Sequence, residues 1–203
     1  MFKKMVYIVG LSREESIYMR VISGKARGHT LKAPKGLNMR PTADRVKESV
    51  FNIIKEELYN SIVIDLFAGS GSLGIEALSR DAHKAYFIDN NRNSIRLIRQ
   101  NLERTGLINN SEIVHMDALN AIVRLSEHSV KANIIFLDPP YLKGFIEPTL
   151  ETIFFYNILQ PDGIIIVEHD IKDRVPDSVH ELKKYRTNRY GDIAISFYRL
   201  EEN

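Results

Sequence analysis

Asp138-Pro139-Pro140-Tyr141 stands directly after the apolar run 134–137. A buried strand that ends in an acid, two residues without a backbone N–H and an aromatic ring makes a stiff corner with its acceptors pointing outward. Such a corner suits a planar amine. The Asp138 carboxylate and the carbonyl of Pro139 can each accept from an exocyclic NH2, Pro140 keeps the turn rigid, and the Tyr141 ring offers a face for stacking a base. A strand that merely closes in a proline turn would use the same four residues, so the choice rests on what lies upstream.

Upstream, Asp65-Leu66-Phe67-Ala68-Gly69-Ser70-Gly71-Ser72-Leu73-Gly74 runs from the end of a strand into a helix. The glycines let the backbone turn tightly and approach a ligand closely. Gly69, Gly71 and Gly74 also satisfy the G-x-G-x-x-G spacing of dinucleotide folds, which brings an NAD-dependent oxidoreductase into consideration. Asp65 argues against it, because a carboxylate at the mouth of the loop repels a pyrophosphate and suits the ammonium group of a methionine moiety. Asp89, about twenty residues past the loop, is placed to accept from ribose hydroxyls. Asp117, ahead of Ala118, is placed to accept from an adenine amine, and both acids also read as helix N-caps. With Asp138 they form a row of four acids at the ends of successive strands, and that coherence is the strongest signal in the chain.

The elements that must position this row alternate. Thr42 can cap a helix whose apolar positions Val46, Val50, Ile53, Ile54 and Leu58 recur at helical spacing. Strands are expected at 62–66, 85–89, 112–115, 133–137 and 163–168, with helices at 72–80, 92–105, 118–128 and 148–157 between them. That alternation predicts a doubly wound parallel sheet with its ligands beyond the strands' C-terminal ends. Segments 181–189 and 193–200 are separated only by Tyr190-Gly191-Asp192, too short for a parallel crossover, so they must pair antiparallel. The expectation is an α/β fold with a mostly parallel seven-stranded sheet ending in an antiparallel hairpin.

The net charge of +2 is unevenly spread: between positions 19 and 47 eight Lys or Arg face one acid, Asp44, while 48–203 is net acidic. A basic arm on an acidic body points to a polyanionic partner, because clustered cations release counterions from phosphates. Short β-prone pieces in 19–37 predict a small basic hairpin-like appendage. The absence of cysteine excludes disulfides, thiolate nucleophiles and the usual zinc sites, and suits a reducing cytoplasm. His29, His83, His115, His128, His169 and His180 form no metal spacing, so no metal is expected. No apolar run reaches the length needed to span a bilayer, and 5–11 is followed at once by charges, which speaks against a membrane or secreted protein. Phe154, Phe155 and Tyr156 read as the core and rim of a helix.

Met19-Arg20-Val21-Ile22-Ser23-Gly24, Arg40-Pro41-Thr42 with Asp44-Arg45-Val46-Lys47-Glu48, the 65–74 loop and the Asp138–Tyr141 corner together resemble the bacterial RsmD family, 16S ribosomal RNA guanine-N2 methyltransferases, over residues 19–200. The resemblance implies a Rossmann-like class I fold and S-adenosyl-L-methionine as cofactor. It implies cofactor contacts from Thr42, Asp65, Phe67, Ala68, Gly69, Gly71, Asp89, Asp117, Ala118 and Asp138, and catalysis by Asp138, Pro139, Pro140 and Tyr141. It also supplies the guanine, since the residues alone specify an amine-gripping corner beside an adenosine-type site. Arg40, Thr42 and Arg45 would fold over the cofactor and face RNA, with a plain helix cap the other role open to Thr42. Arg20, Arg27, Lys32 and Lys35 would contact phosphates of 16S rRNA or the small ribosomal subunit. The expected organisation is an extension of unassigned role over 1–18, an RNA-binding appendage over 19–41 and a methyltransferase domain over 42–203, acting as a cytoplasmic monomer. Rivals are an adenine-N6 or protein glutamine-N5 methyltransferase, the oxidoreductase above, and an RNA-binding module without activity.

Overall fold

In a computed structural model the described residues are 19–33 and 41–201, the side chains of 41–43 excepted. Residues 1–18, Lys35 and Arg40, and the side chain of Thr42, therefore lie outside the described residues.

Five parallel strands form the centre: β3 (Ile62–Asp65), β4 (Lys84–Asp89), β5 (Ser111–His115), β6 (Ala132–Leu137) and β7 (Leu159–Asp170). Near-continuous Ile, Val, Leu and Phe in these strands reflect burial on both faces. The helices α2 (Ser72–Ser79), α3 (Arg92–Thr105), α4 (Ala118–Glu127) and α5 (Ile146–Phe155) follow β3, β4, β5 and β6, and α1 (Pro41–Ile53) precedes them all. The antiparallel pair β9 (Leu182–Tyr190) and β10 (Ile193–Leu200) extends the sheet from β7, with Gly191 at a φ of 68° in the turn. The order is β5-β4-β3-β6-β7-β10-β9-β8, so the sheet has eight strands where the pattern predicts seven. The extra strand, β8 (Ser178–Val179), is a two-residue edge too short to carry a periodic signal.

The pleat sorts the core. Val63, Phe87, Ile134, Phe136, Ile166 and Ile195 face α1, α2 and α3, whereas Ile64, Ile88, Ile135, Leu137 and Val167 face α4 and α5. The reversal of strand order beside β3 opens the crevice in which ligands of such sheets sit.

β1 (Met19–Arg20) and β2 (Thr30–Leu31) pair antiparallel, as the hairpin-like pattern predicts. They do not stand off the body: Val21, Ala26 and Leu31 are buried in the same core as α1 and α2. α1 starts at Pro41, a residue suited to a first turn because it has no N–H to leave unpaired, so Thr42 lies within the helix rather than capping it. α5 likewise begins two residues ahead of the expected start, with Pro148 in its first turn. Phe155 is largely exposed, and His180 stacks on Phe154 with ring centroids 4.7 Å apart.

Candidate active site

β6 carries the corner to the sheet's C-terminal rim, where Asp138 is partly buried, Pro139 buried, and Pro140 and Tyr141 exposed. Leu137 pairs with Val167, so Asp138 stands beside Glu168 on the neighbouring strand β7. Asp65 pairs with Phe136, two residues ahead of Asp138, which puts all three carboxylates on the face that α1 covers. The Tyr141 hydroxyl donates to Glu168 Oε1 at 2.8 Å, and the Leu142 amide donates to Asp173 Oδ1 at 2.9 Å. Leu142 at a φ of 57° turns the chain sharply here, so the C-terminal side of the corner is tied to β7 and to the turn that follows it.

Burial pushes the Asp138 carboxyl well above the ordinary range, and the like charges of Glu168 and Asp65 push it further. Burial raises Glu168 too, against the pull of the Tyr141 hydroxyl. Tyr141 is raised by burial and then by Glu168, so its proton stays on the ring oxygen. Asp65 is pushed up to about 7 by burial, with the Gly74 amide pulling down and Asp89 adding a little repulsion. Crowding of this kind marks a site prepared to receive positive charge or donors.

The glycine loop completes the crevice. Asp65 Oδ2 accepts from the Gly74 amide at 3.2 Å, while its Oδ1 is buried with no partner among the described residues. Gly69 and Gly71 have φ of 55° and 80°, and the Gly69 amide donates to Asp89 Oδ2 at 2.9 Å. Gly74 serves packing instead: a Cβ there would lie 2.4 Å from the Phe87 ring. Ala68 and Ala118 are buried, and Phe67 packs against Phe145 with centroids 6.1 Å apart. Asp117 caps α4, accepting from the Asn120 amide at 3.1 Å, and that bond holds its carboxyl below the usual range. In sheet order the rim therefore reads Asp117, Asp89, Asp65, Asp138 and Glu168 at or just past the C-terminal ends of β5, β4, β3 and β6 and on β7.

At strand spacings of about 4.8 Å, the first four acids span roughly 14 Å, the extent of a nucleoside joined to an amino acid. The unpartnered Asp65 oxygen at the middle of that row fits the cationic part of such a molecule, and the acids on β4 and β5 fit its hydroxyls and amine. Capping and ligand-facing roles coexist in Asp117, whereas Asp89 caps no helix: Asn91 caps α3, and Asp89 accepts from the Gly69 and Asn91 amides. The sequence marks Glu168 only as the end of an expected strand, with no site role. Its one visible signal was a carboxylate ending the fifth parallel strand, as Asp138 ends the fourth.

The basic segment divides in two. Arg20, Arg27, Lys32 and Arg45 are exposed, although Arg20 Nε lies 3.2 Å from Asp44 and Lys32 Nζ donates to Gln100. Lys47, counted with the arm by sequence, turns inward: its Nζ donates to the Arg20 carbonyl at 2.7 Å and lies 3.5 Å from the fully buried Glu76. Glu76 also accepts from the Ile22 and Ser23 amides and from Arg80 Nε. Arg45 and Arg186 line an open cleft of about 530 Å³ between α1 and β9. Among the described residues no three His, Cys, Asp or Glu side chains gather as a metal site, and no helix is long and apolar enough to cross a membrane.

Comparison with known proteins places the chain in a family. The family described as Conserved hypothetical protein 95 matches residues 19–199. The chain is 39% identical over 181 residues to "Putative rRNA methyltransferase YlbH" of Bacillus subtilis, covering 89% of this chain and 98% of that protein. It is 32% identical over 183 residues to "Ribosomal RNA small subunit methyltransferase D" of Escherichia coli, covering 90% of each. The solved structure of "Putative methyltransferase yhhF from Escherichia coli" superposes with a TM-score of 0.81 at 32% identity, over 92% of this chain and 99% of that one.

Proposed function

From the premise that the chain belongs to the RsmD family, described as Conserved hypothetical protein 95, we propose that it methylates the exocyclic N2 of a guanine in small-subunit ribosomal RNA. The activity is that of a methyltransferase acting on small-subunit rRNA, and S-adenosyl-L-methionine is the cofactor. The observation that carries the reading is the unpartnered, buried Asp65 oxygen on the same sheet face as the Asp138 corner, one strand away.

Asp65, Asp89, Asp117 and the 67–71 backbone would hold the cofactor, with Ala118 walling its base; Thr42, whose side chain lies outside the described residues, stays a further candidate by the family resemblance. When bound it supplies an electrophilic methyl on a positively charged sulfur. Guanine's amine is a weak nucleophile because its lone pair is drawn into the ring. Asp138 and the Pro139 carbonyl accept its two hydrogens, which aims the lone pair into the crevice and stabilises the positive charge that grows on nitrogen. Tyr141 stacks on the extruded base, and Pro140 keeps the corner stiff. Once the nitrogen carries four substituents, a proton leaves it to the Asp138 carboxylate or to water, so positioning is the main role of Asp138 and proton acceptance a following one.

The exposed Arg20, Arg27, Lys32 and Arg45, with Lys35 and Arg40, supply affinity for phosphates without reading bases. They favour RNA over a protein glutamine as the amine donor. Residues 19–41 act as the RNA-docking part and 42–203 as the catalytic part of a cytoplasmic monomer. Mass mapping of methylated nucleosides in small-subunit RNA from cells with and without the protein tests the proposal. One N2-methylguanosine that disappears with the protein is expected, and a loss at adenine N6 or no loss at all would refute it.

A further inference from the structure

We propose that Glu168 reads the base at this site by accepting the N1–H of guanine while Asp138 takes the adjacent amine. This rests on the guanine reading above and adds the residue that selects guanine.

Three observations place Glu168 for it. Glu168 stands next to Asp138 across the β6–β7 pairing and on the same sheet face, so two carboxylates from strands about 4.8 Å apart meet the incoming base edge. Guanine's edge presents neighbouring N–H groups, from the ring N1 and the exocyclic amine, to such a pair. Second, the Tyr141 hydroxyl donates to Glu168 Oε1 at 2.8 Å, which fixes the carboxylate at the rim of the ring on which the base stacks. Third, the one hydrogen bond to the Glu168 carboxylate among the described residues is at Oε1, which leaves Oε2 as an acceptor for the base. Burial raises the Glu168 carboxyl, while the Tyr141 hydroxyl pulls it back toward the ionised form and the incoming N1–H would add to that pull.

The selectivity follows from what N1 carries. Adenine and 2-aminopurine present a lone pair there, and a carboxylate facing a lone pair repels it. 2-Aminopurine keeps the 2-amine, so it separates reading of N1 from gripping of the amine. A site built to bond a substrate N–H rejects an analogue without it strongly, so wild-type protein should prefer guanine by at least about 100-fold in kcat/KM.

The test is methyl transfer to small-subunit RNA carrying guanine or 2-aminopurine at the mapped target nucleotide, by wild-type protein, Glu168→Gln and Tyr141→Phe. Glutamine still accepts from Tyr141 through its oxygen and can donate to a bare N1, so the preference should fall to about tenfold or less. Tyr141→Phe keeps the stacking ring but releases the Glu168 carboxylate, so the preference should fall in the same direction and by less than in Glu168→Gln. An unchanged preference in Glu168→Gln overturns the proposal, and so does wild-type protein that uses both RNAs equally, which needs no variant. Failure of the guanine reading is distinct, because wild-type protein would then place no methyl on guanine N2 in the unmodified RNA.

Discussion

At the scale of single residues, function concentrates in carboxylates whose surroundings disagree with their charge. Asp138 is raised by burial and by two like-charged neighbours, a cost that is recovered when donors arrive. Asp138→Ala should lower methyl transfer by at least about 100-fold, while S-adenosylhomocysteine affinity by calorimetry stays within a few fold. Loss of that affinity would instead assign Asp138 to the cofactor. Asp65 has a pH signature. Burial lifts it from 3.8 to about 7, so between those values the folded chain keeps a proton that the unfolded chain has lost. Stability therefore declines as pH rises from about 4 to about 7 and is level above that, relative to Asp65→Asn. Urea unfolding at pH 5 and pH 8 should show a relative difference on the order of 2 kcal/mol. Binding a cation should ionise Asp65, so S-adenosylhomocysteine binding near pH 6 should release a proton in wild type and not in Asp65→Asn. Asp65, Asp89 and Asp138 were legible because each ends an apolar run at an expected strand end. Glu168 was hidden because its meaning comes from Asp138 on the next strand, 30 positions earlier in the chain.

At the scale of elements, helices and strands were readable wherever burial imposed a period, and ends were not. The five parallel strands were foreseen from apolar runs, whereas β8 has two residues and the start of α1 was decided by Pro41 rather than by Thr42. Glu76 shows a deeper limit. Nothing local in the helix run Ser72–Ser79 singles it out, yet it is fully buried because two backbone amides, Arg80 and Lys47 satisfy it. Removing one member of such a network strands the others without water. Glu76→Ala should cost about 3 kcal/mol or more in denaturant unfolding, and trypsin should then cut at Arg27 far faster than in wild type. Gly74→Ala belongs to the same scale: the added methyl meets the Phe87 ring at 2.4 Å, so a loss of about 1–3 kcal/mol is expected, partly restored by Phe87→Leu.

At the scale of the whole molecule, the chain is polarised, with exposed cations on 19–33 and α1 and carboxylates lining the rim. Counting charges along the sequence found the basic end but overstated it, since Lys47 is spent inside the fold, and it missed Arg186, which joins Arg45 at the cleft beside α1. Neutralising Arg20, Arg27 and Lys32 together should weaken RNA binding and reduce the slope of log affinity against log salt by about 2. An unchanged slope would remove this surface from the docking site. Glu76 grips Ile22 and Ser23 by their main-chain amides, not by their side chains. Anchorage there is thus indifferent to residue type, and the cationic handle can be rewritten for a different nucleic acid shape without unmooring it from the catalytic body.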